Sequence, residues 1–274
     1  MSIDLHLHST FSDGTCSPEE LIDAAIEAGL QQIALCDHDT TDGLQRFLAA
    51  GVSRQQNVVP GIELSAQWHD GHCHILGYGL LKKNERLEAV LQETRDSRSV
   101  RNKKILERLE TFGLSVQYEE LLAFAQGDVV GRLHIAGILA LKGYVRDAAD
   151  AFARFLMKGK PAYVDRFRLQ PEDAVRLLAD AGAIVVMAHP SQLRRSAGEI
   201  DKLVKRLLPN GLKGIEVYTP HASDDDIICF ELMARQNNLM ITGGSDFHGI
   251  NKPAHRLGHY RHDKKIPLVS IPGL

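Results

Sequence analysis

The sequence predicts an α/β protein whose strands close into a barrel, and three observations carry that reading. Short β-type runs alternate with helical patterns along most of the 274 residues, the order expected when helices cross over between parallel strands. Nearly every strand pattern is punctuated by His, Asp or Glu, and barrel enzymes collect their catalytic groups at the C-terminal face. Neither GxGxxG after a strand nor GxxxxGK[ST] occurs, although a doubly wound nucleotide-binding sheet would share the same alternation.

The elements follow in order. Residues 3–8 read as the first strand. Ser17-Pro18-Glu19-Glu20 opens a helix, with Ser17 as N-cap and Pro18 at the first helical position. That helix runs through Leu21, Ile22, Ala25 and Ile26 and stops at Gly29. Residues 32–36 form the next strand, polar Asp37-His38-Asp39 follows, and a second helix covers 44–50. Residues 58–64 and 74–78 are further strands. From about Lys82 to about Lys158 the pattern is helical, with Leu87, Val90, Leu91 and then Ile105, Leu106, Leu109 at helical spacing. Arg95, Arg98, Arg101, Lys103, Lys104 and Arg108 crowd the centre of that stretch. The alternation then returns, with helices over 171–181, 199–208 and 224–236 and strands over 183–188, 214–218 and 240–244. The expected organisation is a barrel built from residues 1–82 and 158–274, with 83–157 inserted as a helical subdomain that lids the substrate.

Composition bounds the function. Hydrophobic residues make up 44% and charged residues 24% of the chain, as in ordinary soluble enzymes, which argues against disorder. A formal net charge of −3 disfavours a general nucleic-acid-coating surface while leaving room for a local basic pocket. Cys16, Cys36, Cys73 and Cys229 form no CxxC pair and fit reduced thiols, with Cys36 and Cys73 in apolar runs as small buried hydrophobes. The chain opens on a strand pattern, with no expected signal peptide, and no apolar run approaches the roughly 20 residues that span a bilayer. The expected location is the cytoplasm.

The chemistry sits where strands are punctuated. His6-Leu7-His8 places two imidazoles on one face of a strand, because side chains alternate. Asp13, Asp37 and His38, Glu63, His74, His189, Asp246 and His248 recur at or just after later strands. Singly, each has an ordinary explanation: Asp13 before Gly14 as a turn residue, Asp246 as a helix cap, His6, His74 or His134 as hydrogen-bonded histidines. Together they need one common cause, and convergent imidazoles and carboxylates are the donor set of a divalent metal site. No thiolate joins them, which points to Mn, Zn, Fe or Mg. Their number exceeds what one ion uses, and Glu63, on a central strand, suits a carboxylate shared between two. His69, His72, His221, His255, His259 and His262 lack that placement and read as surface residues.

At HLHSTFSDG, DHD, GIE, HILGY, AHP and GSDFHG, taken in order, the chain resembles the PHP (polymerase and histidinol phosphatase) family. The resemblance implies a distorted (β/α)7 barrel, a site for two or three divalent ions, and phosphoester hydrolysis. It also implies a ligand distribution: His6, His8, Glu63 and Asp246 for one ion, Glu63, His74 and His189 for a second, Asp13, His38 and His248 for a third. GRLHIAG and RNKKILERL look like the stand-alone members acting on nucleotides, a subgroup with 3′,5′-nucleoside bisphosphate phosphatases and 5′-to-3′ exoribonucleases. Cys36 departs from the Thr common in the family, at a position that is not a ligand.

The expected reaction is in-line attack on phosphorus by a metal-bridging hydroxide, with manganese as the expected metal. Arg132 can present a planar two-donor fork to phosphate, and His134 can bind phosphate or donate a proton. Asp37 either handles the attacking water or orients the adjacent His38. Arg101, Asn102, Lys103 and Lys160 are weaker candidates for a second phosphate. The expected substrate is a nucleoside 3′,5′-bisphosphate; the main alternative is a short RNA or ribosomal RNA precursor shortened from its 5′ end. Only 6% of residues are aromatic, which gives no stacking platform for long RNA. An amidohydrolase would usually carry a bridging lysine carboxylate, and no strand-end lysine is present. A silent scaffold should have lost several ligands. Neither a membrane nor an obligate protein partner is expected.

Overall fold

The computed structural model describes residues 2–69, 71–125, 129–261 and 263–267. Seven strands form one sheet in sequential order: β1 Ser2–Leu7, β2 Leu30–Leu35, β3 Asn57–Trp68, β4 Gly71–Tyr78, β5 Ile184–Met187, β6 Leu212–Tyr218 and β7 Met240–Gly243. The sheet curls until its ends meet. Leu7 bridges Phe247 just beyond β7, and the His8 amide donates to Phe247 O at 3.0 Å. This is the distorted seven-stranded α/β barrel that the family resemblance implies.

One strand departs from the all-parallel expectation. β4 runs antiparallel to both β3 and β5. β3 and β4 form a long hairpin, paired from Gly61 with Tyr78 to Trp68 with Gly71. Four residues of β3 past Leu64 and three of β4 before His74 escape the sequence pattern, because this end carries polar Gln67 and His72 at the rim. The reversal also moves a ligand. An antiparallel strand brings its start to the face where its neighbours end, so His74 meets the site from an early position in β4, while Glu63 lies inside β3.

The first helix forms where its cap predicts. α1 (Pro18–Glu27) has both bonds of a capping box between Ser17 and Glu20, and the chain leaves it through Gly29 at φ +68°. α2 (Leu44–Arg54) outlasts the apolar pattern by one turn. α3 (Glu85–Glu110), α4 (Tyr118–Ala125), α5 (Arg132–Leu141) and α6 (Ala148–Ala151), which runs into a π-helical turn at Phe152–Leu156, fill the helical stretch. α7 (Pro171–Asp180), α8 (Ala197–Leu207) and α9 (Asp224–Gln236) return to the barrel, the last two opening on capping boxes at Ser196 and Ser223. Among the described residues no helix is long and apolar enough to cross a membrane.

Burial separates three packed groups. The largest joins the strands to the surrounding helices, through residues such as Leu21, Ile33, Phe47, Ile62, Leu178 and Leu203. A smaller group of Ile3, Leu5, Ala34, Val59, Leu76, Tyr78 and Val186 fills the barrel. Tyr78 Oη donates to Leu5 O at 2.9 Å, from β4 to β1, strands that are not neighbours. The third group, including Ile105, Leu109, Leu121, Ile135, Leu139 and Leu156, belongs to the helical stretch alone. α3 connects the packed groups: Leu87 and Leu91 sit in the barrel shell, Ile105, Leu106 and Leu109 in the helical core. The expected boundary at 82/83 therefore precedes a helix that serves both units.

Tyr78→Phe is expected to lower unfolding free energy by about 1 kcal/mol in urea titrations, since the buried Leu5 carbonyl loses its hydroxyl donor and keeps the Cys36 thiol at 3.5 Å. An unchanged midpoint would show that this cross-barrel bond contributes nothing.

Candidate metal centre

The site is organised around the carboxylate of Glu63, which is fully buried. Its Oε1 lies 2.8 Å from His74 Nδ1 and 2.9 Å from His189 Nε2. Its Oε2 lies 3.2 Å from His6 Nε2, 3.3 Å from His8 Nε2 and 3.0 Å from His38 Nδ1. Asp246 Oδ1 stands 3.3 Å from His8 Nε2, and Asp13 Oδ1 stands 3.1 Å from His248 Nε2. The donor atoms fall into three groups tight enough for an ion: His6, His8, Glu63 and Asp246; His38, Glu63 and His74; His8, Asp13, His38 and His248. All nine expected ligands thus converge. The first group is the set expected for one ion. The second has His38 where His189 was expected, although His189 still touches Glu63, and the third gains His8.

The donor set fits divalent ions on an independent observation. His6 Nε2, His8 Nε2, His38 Nδ1, His74 Nδ1, His248 Nε2, Asp13 Oδ1 and Glu63 Oε2 are buried without a hydrogen-bond partner. Such atoms are costly to bury, and here they face one another, as ligands do around a cation. Burial pulls His6 and His38 down, but Glu216 and Glu63 raise His6 well above its usual value, and Glu63 and Asp13 raise His38 to about 9, so these two imidazoles carry the positive charge that faces the carboxylates. Burial pushes the Glu63 carboxyl up, but His38, His74 and His6 outweigh it and hold it well below the usual range. Asp246 is held down likewise against burial, by Lys252 and His248. Burial drives His74 down to about 4, leaving a neutral imidazole able to bind metal at pH 7.

A surrounding layer aims these ligands. Glu216, buried in β6 between Ile215 and Val217, contacts His6 Nδ1 at 3.1 Å and accepts the His189 amide at 2.8 Å. The His6 contact commits Nδ1–H and turns Nε2 toward the cluster. Lys252 Nζ holds Asp246 Oδ2 at 2.7 Å. Three site residues, Asp39, His189 and Asp246, adopt positive φ of 52°, 24° and 50°. For residues other than glycine such backbone is uncommon and costs of order 1–3 kcal/mol, so the surrounding contacts must hold it. Gly244 is needed for close approach: a Cβ there would lie 2.1 Å from His6 Cβ and 2.7 Å from Glu216 Oε1.

Beside the metal groups opens a cavity of about 400 Å3, lined by Asp13, His38 and His74 on one side and by arginines on the other. Arg98, Arg101, Arg132, Arg166 and Arg168 all reach it. Asp39 pairs with Arg98 and, at 3.2 Å, with Arg166, while accepting the Ser65 amide at 2.9 Å. Burial and the neighbouring Arg98 push Arg166 down to about 9, and burial with four other arginines pushes Arg101 well below its usual range. Cations that depress one another around a cavity form a receptor for a multiply charged anion.

The remaining expected residues have these contacts. Asp37 accepts Ser9 N (2.8 Å) and Ser12 Oγ (2.6 Å) on Oδ1 and Ser9 Oγ (2.6 Å) on Oδ2. These bonds tie it to the loop between His8 and Asp13 and make it a loop-positioning residue. His134 is buried and spends Nδ1 on the Gly131 amide at 3.0 Å, capping α5. Arg132 reaches the cavity, but its Nη1 is held by Leu156 O at 2.9 Å. Of the weaker candidates only Arg101 lines the cavity. Asn102 braces Arg101 and the Val130 carbonyl, Lys103 lies over the Tyr118 ring at 4.9 Å, and Lys160 is exposed away from the cavity. His255 is buried, with Nδ1 on Asp246 O at 2.9 Å, and His72 lines the cavity. His69 and His221 are exposed and His259 half-buried; His262 lies outside the described residues. Sequence reasoning missed Glu216, Asp39, Arg166, Arg168 and Lys252. A charged residue inside the apolar run of β6 was a usable signal for Glu216; the others have none beyond charge.

The model of the PHP domain matches residues 4–163, more than half of the chain. The chain belongs to the PHP family. It is 34% identical to a 3′,5′-nucleoside bisphosphate phosphatase of Chromobacterium violaceum, over 99% of this chain and 94% of that protein. It is 33% identical to a 5′-3′ exoribonuclease of Haemophilus influenzae, over 89% of each. A solved structure from Bifidobacterium adolescentis, described as a candidate metal-dependent phosphoesterase, superposes with a TM-score of 0.87 at 29% identity, covering 96% of this chain and 92% of that one.

Two substitutions test the support of the metal groups. Glu216→Gln is expected to weaken manganese binding roughly 10–100-fold by calorimetric titration, the usual cost of losing a partner of a ligand histidine. Gly244→Ala should lower bound metal after dialysis, because its methyl displaces His6; full retention would count against that packing.

Proposed function

We propose that this protein hydrolyses the 3′-phosphate of nucleoside 3′,5′-bisphosphates, converting adenosine 3′,5′-bisphosphate to AMP and phosphate. The chain is a metal-dependent phosphoester hydrolase of the PHP family. What carries the finer reading is the arginine-lined cavity, which sets several guanidinium groups against one face of the metal groups. A substrate with two phosphates would place one at the donor cluster and the other among these arginines.

His6, His8, Asp13, His38, Glu63, His74, His189, Asp246 and His248 would hold two or three divalent ions, manganese in this reading. Bound there, such ions supply Lewis acidity to the phosphoryl oxygens and lower the pKa of water. The chain's own residues do the rest. Arg98 and Arg166 neutralise and orient phosphate oxygens, with Asp39 holding both in place. Lys252 and Glu216 fix Asp246 and His6 so that the donor set is rigid before substrate arrives. Residues 83–157 act as the lid that brings Arg98, Arg101 and Arg132 over the site. We place the enzyme in the cytoplasm, with no protein partner required.

A second reading rests on the Haemophilus influenzae relative, named as a 5′-3′ exoribonuclease: the same site would remove mononucleotides from the 5′ end of short RNA. Kinetics with manganese decide between them. Adenosine 3′,5′-bisphosphate should be turned over with higher kcat/KM than a short 5′-phosphorylated RNA; the reverse order would establish the exonuclease. Arg98→Ala and Arg166→Ala should each raise KM roughly 10–100-fold, the scale of a lost charged hydrogen bond, while chelation with EDTA should abolish turnover until manganese is restored.

A further inference from the structure

A second cavity of about 230 Å3 lies against the first. His72, Arg132, Phe152 and Arg168 line both, so one wall of side chains separates the two compartments. The rest of its lining is Gln67, Gly71, Met157, Lys158, Tyr163 and Asp165. Arg132 is fixed inside this wall. Its Nη1 donates to Leu156 O at 2.9 Å, and its guanidinium carbon lies 5.8 Å from the centre of the Phe152 ring and 5.3 Å from that of Tyr163. A guanidinium held this way gives up much of its freedom to follow a phosphate. Phe152 itself opens the π-helical turn, whose Met157 amide reaches Phe152 O at 3.0 Å. Turns of this kind are rare and are found mostly at functional sites.

The size and chemistry of this space select its occupant. Pockets for drug-sized ligands run to about 300–1,000 Å3, so this one admits a single ring system. Phe152, Tyr163 and the Met157 thioether suit a flat, π-rich heterocycle, while Lys158, Asp165 and Arg168 can meet its polar edge. Arg98, Arg101 and Arg166 reach only the neighbouring cavity, which puts much of the anion-binding capacity on the far side of the wall. A ligand with phosphate in one compartment and a flat heterocycle in the next is a nucleotide.

We infer that the second cavity is the nucleobase subsite, with Phe152 as its stacking surface and the immobilised Arg132 beside it. The inference rests on the nucleotide reading above and assigns Arg132 to the base in place of the phosphate. Recognition is by stacking, so purines and pyrimidines are both accepted.

Binding of AMP and of ribose 5-phosphate, which differ by the base alone, tests this on the manganese-loaded protein by calorimetry, without turnover. Wild type should bind AMP at least tenfold more tightly. Phe152→Ala should weaken AMP about tenfold, the scale of one base–aromatic stack, and leave ribose 5-phosphate within twofold. Should Phe152→Ala melt well below wild type, Phe152→Leu keeps the apolar bulk and removes the aromatic face, and the same selective loss is expected. Equal affinities for the two ligands in wild type, an unchanged AMP affinity in the variants, or equal losses for both ligands would each overturn the assignment. Failure of the phosphatase reading appears separately, as adenosine 3′,5′-bisphosphate left intact by wild type that still prefers AMP over ribose 5-phosphate.

Discussion

A single buried carboxylate sets the terms for the rest of the structure. Glu63 lies in the interior of β3 with five imidazoles within 3.3 Å of its two oxygens. An ionised carboxylate at that depth is costly unless cations or donors surround it. The barrel meets this demand by bringing β1, β2, β4 and the loop after β5 to one point. The closure of β1 onto the segment after β7 adds Asp246 and His248. The curl of the sheet and the composition of the site are therefore one constraint.

The second constraint is the buried ion pairing at Asp39. It joins the loop after β2 to Arg98 on α3 and to Arg166 on the segment returning from the helical insert. Removing one member of such a buried group typically costs 3–5 kcal/mol, since the remaining charge is left uncompensated. α3 begins in the barrel shell, passes Arg98 and Arg101 along the cavity, and ends in the helical core. Asp39 follows His38 directly in sequence, so the carboxylate that seats the insert is one residue from a metal-facing imidazole. Chemistry and substrate cover thus share a short loop.

Much of this was legible in residue order. His6-Leu7-His8, Asp13, His38, Glu63, His74, His189, Asp246 and His248 were recognisable because donor residues at strands are unusual and repeat. The capping signal at Ser17 placed a helix start because it acts within four residues. The direction of β4 was not legible, since a short apolar strand carries no mark of parallel or antiparallel pairing. Asp37 and His134 show the same limit: residue type did not tell that Ser9, Ser12 and the Gly131 amide hydrogen-bond them.

The sequence by itself determined the α/β alternation, the donor inventory and the family, because these depend on residue type and local spacing. Tertiary structure decided which donors share an ion-sized space, that Glu216 orients His6 across 210 residues, and that five arginines from three separated segments face one cavity. Local periodicity says which face of an element is apolar; it does not say which distant side chain will meet a given atom. That meeting is set by the closure of the barrel and the seating of α3, which only the folded chain makes.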